Sequence, residues 1–152
     1  SAVTLRDLLL ALWPLAAPPA LPPVRLAGLA TMYYPGDGMS GPRLGCPAAA
    51  RRLLGHDRHI DGLSMIATRD GPRCGTRVYV EHGRTGRGVW AHKLDTGTWS
   101  CYWPDGTRTV AGPRRCVQRG GKRGAVADLS RSVARAIGHD GRDMVRLRWH
   151  GR

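Results

Sequence analysis

Glycine and proline interrupt this chain so often that long regular elements cannot form in most of it. There are 21 glycines and 11 prolines among 152 residues, close to double the roughly 12% of ordinary usage. A helical bundle or coiled coil needs uninterrupted helix formers, and a collagen-like rod needs glycine at every third place. Neither pattern is present. Hydrophobic residues make up 41% of the chain, which excludes a disordered polycation. What remains is a single domain of short strands joined by many turns, with enough apolar residues for a core.

Charge bears on the partner. The chain has 24 basic and 11 acidic residues, a formal net charge of +13. Only Lys93 and Lys122 are lysines; every other basic residue is arginine. Such an excess implies polyanionic surroundings: nucleic acid, an anionic cell wall, an anionic membrane face or an acidic subunit. An arginine bias also follows from genome base composition, so charge alone does not choose. The basic residues are spread rather than striped and no nucleic-acid motif of the usual kinds is present, so nucleic acid is not the expected partner.

The four cysteines are Cys46, Cys74, Cys101 and Cys116. None forms a C-x-x-C clasp, which argues against a zinc ribbon. An even count in a small glycine-rich β domain reads as two disulfides in an oxidising, extracytoplasmic setting, secreted or particle-associated. The alternative is buried free thiols. Three pairings exist; in one, Cys101 with Cys116 closes a Gly/Pro/Arg-rich loop and Cys46 meets Cys74.

Residues 1–24 read as an arm. Thr4–Trp13 is apolar and helix-prone, Pro14 stops it, and it is too short to span a bilayer. Ala16–Pro23 is a stiff, extended proline linker. A short apolar helix on a rigid leash predicts docking, onto its own domain or into a larger assembly; a remnant of an export or anchoring segment is the alternative. The domain proper is expected over residues 25–152. Within it, Thr76–His82 alternates as a strand, Gly83–Gly88 is a turn, and Val89–Leu94 returns as the second strand of a hairpin. Residues 95–124 read as a long loop. Asp128–Ile137 reads as a helix capped by Asp128 or Ser130 and ended by Gly138. Pro47–Leu54 is a second, shorter helix. Asp143–Trp149 closes as a strand with Val145, Leu147 and Trp149 on one face.

Taken in order, several motifs form a pattern. Gly28-Leu-Ala-Thr-Met-Tyr33 resembles the opening strand of expansins and of the rare-lipoprotein-A family. Asp37-Gly-Met-Ser-Gly41, followed by Cys46, resembles the early loop of expansin and barwin domains. Cys74-Gly-Thr-Arg-Val-Tyr-Val80 is similar to the family's G-T-x-V-x-V strand. Leu94-Asp-Thr-Gly97 sits where rare lipoprotein A carries an Asp-Arg-Gly-Pro turn. Ala127-Asp-Leu-Ser130, with its following helix and the Val145-Arg-Leu-Arg148 strand, resembles the family's Asp-Leu-Ser end. The resemblance covers roughly residues 26–149. It implies a mainly β fold: a six-stranded double-psi β-barrel with one or two short helices.

The resemblance also implies a chemistry. Lytic members cleave the β-1,4 bond between N-acetylmuramic acid and N-acetylglucosamine in peptidoglycan. In the transglycosylase route one carboxyl protonates the glycosidic oxygen. It then takes the proton of the sugar's own 6-hydroxyl as an anhydro ring closes. Asp128 matches the Asp-Leu-Ser position and Asp95 is its natural partner, so these two are the expected catalytic residues. Each has a structural alternative: Asp128 as a helix cap, Asp95 as a turn former before Gly97. Thr31 and Tyr33 are expected to line the sugar groove. Trp99, Tyr102 and Trp103 offer flat faces for sugar rings.

The chain departs from the family pattern. The histidine expected before the Gly-Thr strand is missing from Ala67-Thr-Arg-Asp70. Thr96-Gly97-Thr98 replaces the Arg-Gly-Pro of the turn, and Ala127 stands where expansins carry an aromatic. These departures favour a second reading: a non-catalytic structural module docked through residues 4–23 in a larger assembly such as a phage tail tip or injection apparatus. His56-Asp-Arg-His59 with Asp61 offers two ligand positions without an evident third, and reads as a solvated loop. No metal or cofactor is expected. Arg114, Arg115, Arg119, Lys122 and Arg123 form a basic loop suited to an anionic wall polymer, with a plain solvated face as the alternative. The expected partner is an anionic cell-wall glycan, and no transmembrane span is expected.

Overall fold

A computed structural model describes residues 17–32, 43–60, 62–97, 100–102, 108–110 and 122–151. Nine strands and two helices run in chain order through these residues: β1 (Val24–Met32), α1 (Pro47–Leu54), β2 (Met65–Ala67), β3 (Arg77–His82), β4 (Gly88–Asp95), β5 (Ser100–Tyr102), β6 (Arg108–Val110), β7 (Lys122–Arg123), β8 (Ala127–Leu129), α2 (Arg131–Ile137) and β9 (Asp143–Arg148). Six strands close into a barrel in the order β1-β8-β2-β4-β3-β9. The β1–β8 and β2–β4 pairs are parallel and the other four are antiparallel. The fold is therefore a mixed, mainly β barrel. Closure leaves no edge strand among these six.

Alternation fills the barrel. Val78 and Val80 on β3, Ala127 and Leu129 on β8, and Val145 and Leu147 on β9 are all fully buried, with Ala30 and Ile66 beside them. Val133, Ala134 and Ile137 of α2 join the same core, because residues three and four apart share a helix face. A second apolar cluster lies outside the barrel, where Leu44, Cys46, Ala49 and Ala50 pack against Met65 and Leu94.

The hairpin, the final strand and the Pro47–Leu54 helix form where the sequence places them, the strand ends shifting by one residue. Trp149 lies just past β9 and is still buried. Two expectations are corrected. Asp128 and Leu129 are strand, not the first turn of a helix, because β8 is drawn between β1 and β2. The helix starts at Arg131 and is capped by Ser130, whose Oγ accepts from the Val133 N–H. It ends on Gly138 at φ +74°, a left-handed conformation that costs glycine little. Residues 95–124 are not one loop either: β5 pairs with both β6 and β7 in a small separate sheet.

Cys46 and Cys74 are disulfide-bonded. Cys101 lies on β5, in register with Thr109 and Arg123; Cys116, and with it the expected second bridge, lies outside the described residues. So does the Thr4–Trp13 segment. Residues 17–23 have no regular secondary structure. Pro22 is buried, and its carbonyl accepts from Arg148 Nη1 at 3.2 Å. No described helix is long and apolar enough to cross a membrane.

Candidate functional site

Strand alternation decides which side of the wall each candidate occupies. On β8 the two neighbours of Asp128, Ala127 and Leu129, belong to the barrel core, so Asp128 lies on the outer face. Thr31 follows the core residue Ala30 on β1 and is paired in register with Asp128. It is itself buried, and its hydroxyl donates to Asp128 Oδ1 at 3.0 Å. Ser130 caps the helix, and the Asp128 carboxylate is bound by the Thr31 hydroxyl.

Asp95 arrives from the other side. Ala67 of β2 pairs with Asp128 across one ladder and with Asp95 across the other. Thr31, Asp128, Ala67 and Asp95 therefore form one row across β1, β8, β2 and β4. Registered partners share a face of the sheet. Two strand spacings separate the aspartates, about 10 Å between Cα atoms. The row depends on an irregularity: Ile66 pairs with Lys93 but Ala67 pairs with Asp95, so Leu94 is the extra residue.

Several restraints hold Asp95 at this point. Its Oδ1 accepts from the Gly45 N–H at 2.6 Å and the Thr96 N–H at 2.8 Å. Gly45 is needed there, because a Cβ would stand 2.3 Å from Thr96 Oγ1 and 2.7 Å from Asp95 Oδ1. The Cys46 N–H binds the Leu94 carbonyl at 3.0 Å and the Gly75 N–H binds the Lys93 carbonyl at 2.7 Å. The Cys46–Cys74 bond therefore joins two segments that both grip the stretch leading into Asp95.

Of the stretch Ala67–Asp70, which lacks the family histidine, Ala67 and Thr68 are buried and Asp70 is exposed. Thr68 is fully buried and its N–H reaches the Asp95 carbonyl at 3.4 Å. Its hydroxyl has no hydrogen-bond partner among the described residues. Lys93 shares the inward face of β4 with Ala91 and is only 6% exposed. Burial pulls its ammonium below the usual lysine range, and the Asp70 carboxylate partly offsets this.

Farther along β3 and β4 the outer wall carries aromatic and charged groups. The Arg77 guanidinium lies 4.5 Å over the Trp90 ring, and Tyr79 meets Trp90 edge-on at 5.2 Å. Burial, then the nearby Arg77 charge, holds His92 below the ordinary histidine value. Glu81 accepts from Arg146 Nη2 at 2.7 Å and Arg148 Nε at 2.8 Å. The Arg146 hydrogen bond is the main reason its carboxyl sits below the usual range.

Of the expected site residues, the structure brings together Thr31, Asp95 and Asp128. Tyr33, Trp99 and Trp103 lie outside the described residues. Tyr102 is on β5, opposite Arg108 and Lys122. Of the basic loop, Arg114, Arg115 and Arg119 lie outside the described residues, and Lys122 and Arg123 form β7. His56 Nδ1 accepts from the Arg58 N–H within its own turn, and Asp61 lies outside the described residues. Among the described residues no three His, Cys, Asp or Glu side chains gather as a metal site would need. Gly45, Ala67 and the Arg77–Trp90 pair carried no sequence signal, since a registered row and a close backbone approach are products of strand pairing. No protein-family model matches the chain, and no curated protein matches it.

Proposed function

We propose that this barrel is of the double-psi type found in rare lipoprotein A and expansins, and that it binds peptidoglycan-like glycan and cleaves it as a lytic transglycosylase. The observation that carries the reading is the row of Thr31, Asp128, Ala67 and Asp95, with two carboxylates flanking one strand on the outer wall. The motif order and the excess of positive charge support it, the latter because the wall polymer is anionic. The Cys46–Cys74 bond supports an extracytoplasmic setting.

In this reading Asp128 is the acid and then the base. A protonated Asp128 gives its proton to the glycosidic oxygen as the bond to the muramic C1 breaks. The resulting carboxylate takes the proton of the 6-hydroxyl, whose oxygen closes on C1. No external water enters, and the aspartate regains its starting state. Thr31 orients the carboxyl by hydrogen bonding to Oδ1. Asp95, fixed by the Gly45 and Thr96 amides, places a negative charge near the developing oxocarbenium ion. The test is co-sedimentation with purified cell walls, followed by turbidity. Wild type should pellet with the walls and clear them, and Asp128→Asn should pellet without clearing. Failure of wild type to pellet removes the glycan reading.

A non-catalytic assembly module is the second reading. Thr68, buried in the stretch where the family has its histidine, favours it. Size exclusion with and without residues 1–23 separates the two, since only the module requires that arm to form its complex.

A further inference from the structure

A cavity of about 530 Å³ opens on the outer wall near Trp90, lined by residues 19–21 together with Thr76, Arg77, Trp90 and His150. That volume suits a small organic ligand. The lining is chemically one-sided. Pro19, Leu21 and the indole of Trp90 supply apolar surface, Thr76 a hydroxyl, and Arg77 and His150 nitrogen groups. Among the described residues no acidic side chain lines the cavity.

Arg77 is the informative member. Its guanidinium lies over the Trp90 ring, a cation–π contact that restrains the fork without using its N–H groups as hydrogen-bond donors. Among the described residues it makes no ion pair, whereas Arg146 and Arg148 on the same wall are both ion-paired with Glu81. Its charge is felt at His92 as well. A stacked, unneutralised guanidinium beside apolar walls matches an oxyanion that carries a ring or alkyl group, because such a fork takes carboxylate or phosphate through two parallel hydrogen bonds.

We propose that this cavity is a binding site for a small oxyanion, carboxylate or phosphate, attached to an apolar ring or chain, with Arg77 gripping the anion and Trp90, Pro19 and Leu21 covering the apolar part. The site is separate from the aspartate row. Trp90 precedes Asp95 by five residues on β4, about 17 Å along an extended strand. The proposal does not depend on glycan cleavage. One wall is the segment that precedes β1, so a bound ligand also fastens residues 19–21 to the barrel.

Isothermal titration calorimetry with four probes tests it: benzoate, phenyl phosphate, acetate and benzyl alcohol. At least one of benzoate and phenyl phosphate should saturate, with Kd of roughly 1–10 mM for so small a probe, and the tighter of the two names the anion. Acetate lacks the ring and benzyl alcohol lacks the charge, and each should bind at least about tenfold more weakly. Arg77→Gln should weaken the better anion by at least about tenfold. Arg84→Gln, which removes the same charge from the hairpin turn, should leave it unchanged. Equal losses in the two variants would show general attraction to a basic protein and overturn the site, as would benzyl alcohol matching benzoate, or no saturation with either anion. If Arg77→Gln lowers the melting temperature, Arg77→Lys decides. It keeps the charge but loses the planar fork, and an unchanged affinity in it also overturns the proposal.

Discussion

Removing the Cys46–Cys74 bond should cost this barrel a large part of its stability. The two cysteines are 28 residues apart. Closing a loop of that size removes about 12 cal/mol/K of unfolded-chain entropy, or about 3.6 kcal/mol at 25 °C. For a chain of this length each kcal/mol moves the midpoint by roughly 2–4 °C, so the double variant Cys46→Ala/Cys74→Ala should melt roughly 7–14 °C lower. The loss should come with local loosening. The Gly45 and Gly75 amides, which bind Asp95 Oδ1 and the Lys93 carbonyl, should exchange hydrogen faster than the amides of β9. Calorimetric melting of both proteins, with hydrogen exchange on the same samples, measures the two effects. A midpoint shift below about 3 °C would refute the reasoning, because it would mean that the bond constrains neither the unfolded chain nor the segments bracketing Asp95.

Three further outcomes follow from single positions. Glu81→Gln should cost about 1–3 kcal/mol at neutral pH by weakening the hydrogen bonds to Arg146 and Arg148. The Glu81 carboxyl is held below its ordinary value of 4.5, so its contribution is complete above that value and fades as pH falls through the folded-state one. Denaturant melts of wild type and variant should therefore converge in acid. Lys93→Met should stabilise the protein at pH 7, because it removes a buried ammonium that makes no ion pair among the described residues. With the folded-state value lowered by burial, wild type gains stability as pH rises from that value toward 10.5, so the advantage of Met should shrink over that window. Gly45→Ala should destabilise by roughly 1–3 kcal/mol and weaken wall binding. Its methyl would meet Thr96 Oγ1, the Asp95 carboxylate and the Thr96 backbone nitrogen, which a chemical melt paired with co-sedimentation would register.

The elements legible in the sequence are those with strong local signals. The Tyr79–Trp90 hairpin declares itself by alternation around a glycine-bounded turn. α1 is marked by Pro47 at its start, and β9 by Val145, Leu147 and Trp149 on one face. Asp128 shows where local signals fail. Asp128-Leu-Ser130 fits a helix start as well as a strand end, and only pairing with β1 and β2 makes residues 127–129 a strand. Ser130 then takes the cap and Asp128 turns outward. The same holds for Asp95, whose place opposite Ala67 depends on the irregularity at Leu94. That irregularity is a property of two strands together and has no mark in either one. β5, β6 and β7 are two or three residues each, too short for periodicity to register. The stacking of Arg77 on Trp90 likewise joins residues 13 apart, on neighbouring strands that pair Arg77 with His92 and Tyr79 with Trp90.

Product analysis on purified peptidoglycan tests the central claim most directly. The account predicts that wild type liberates muropeptides ending in the 1,6-anhydro ring, identified by mass, and that Asp128→Asn, folded and still wall-bound, liberates none. Soluble products lacking the anhydro ring, or anhydro products from Asp128→Asn at the wild-type rate, would contradict it.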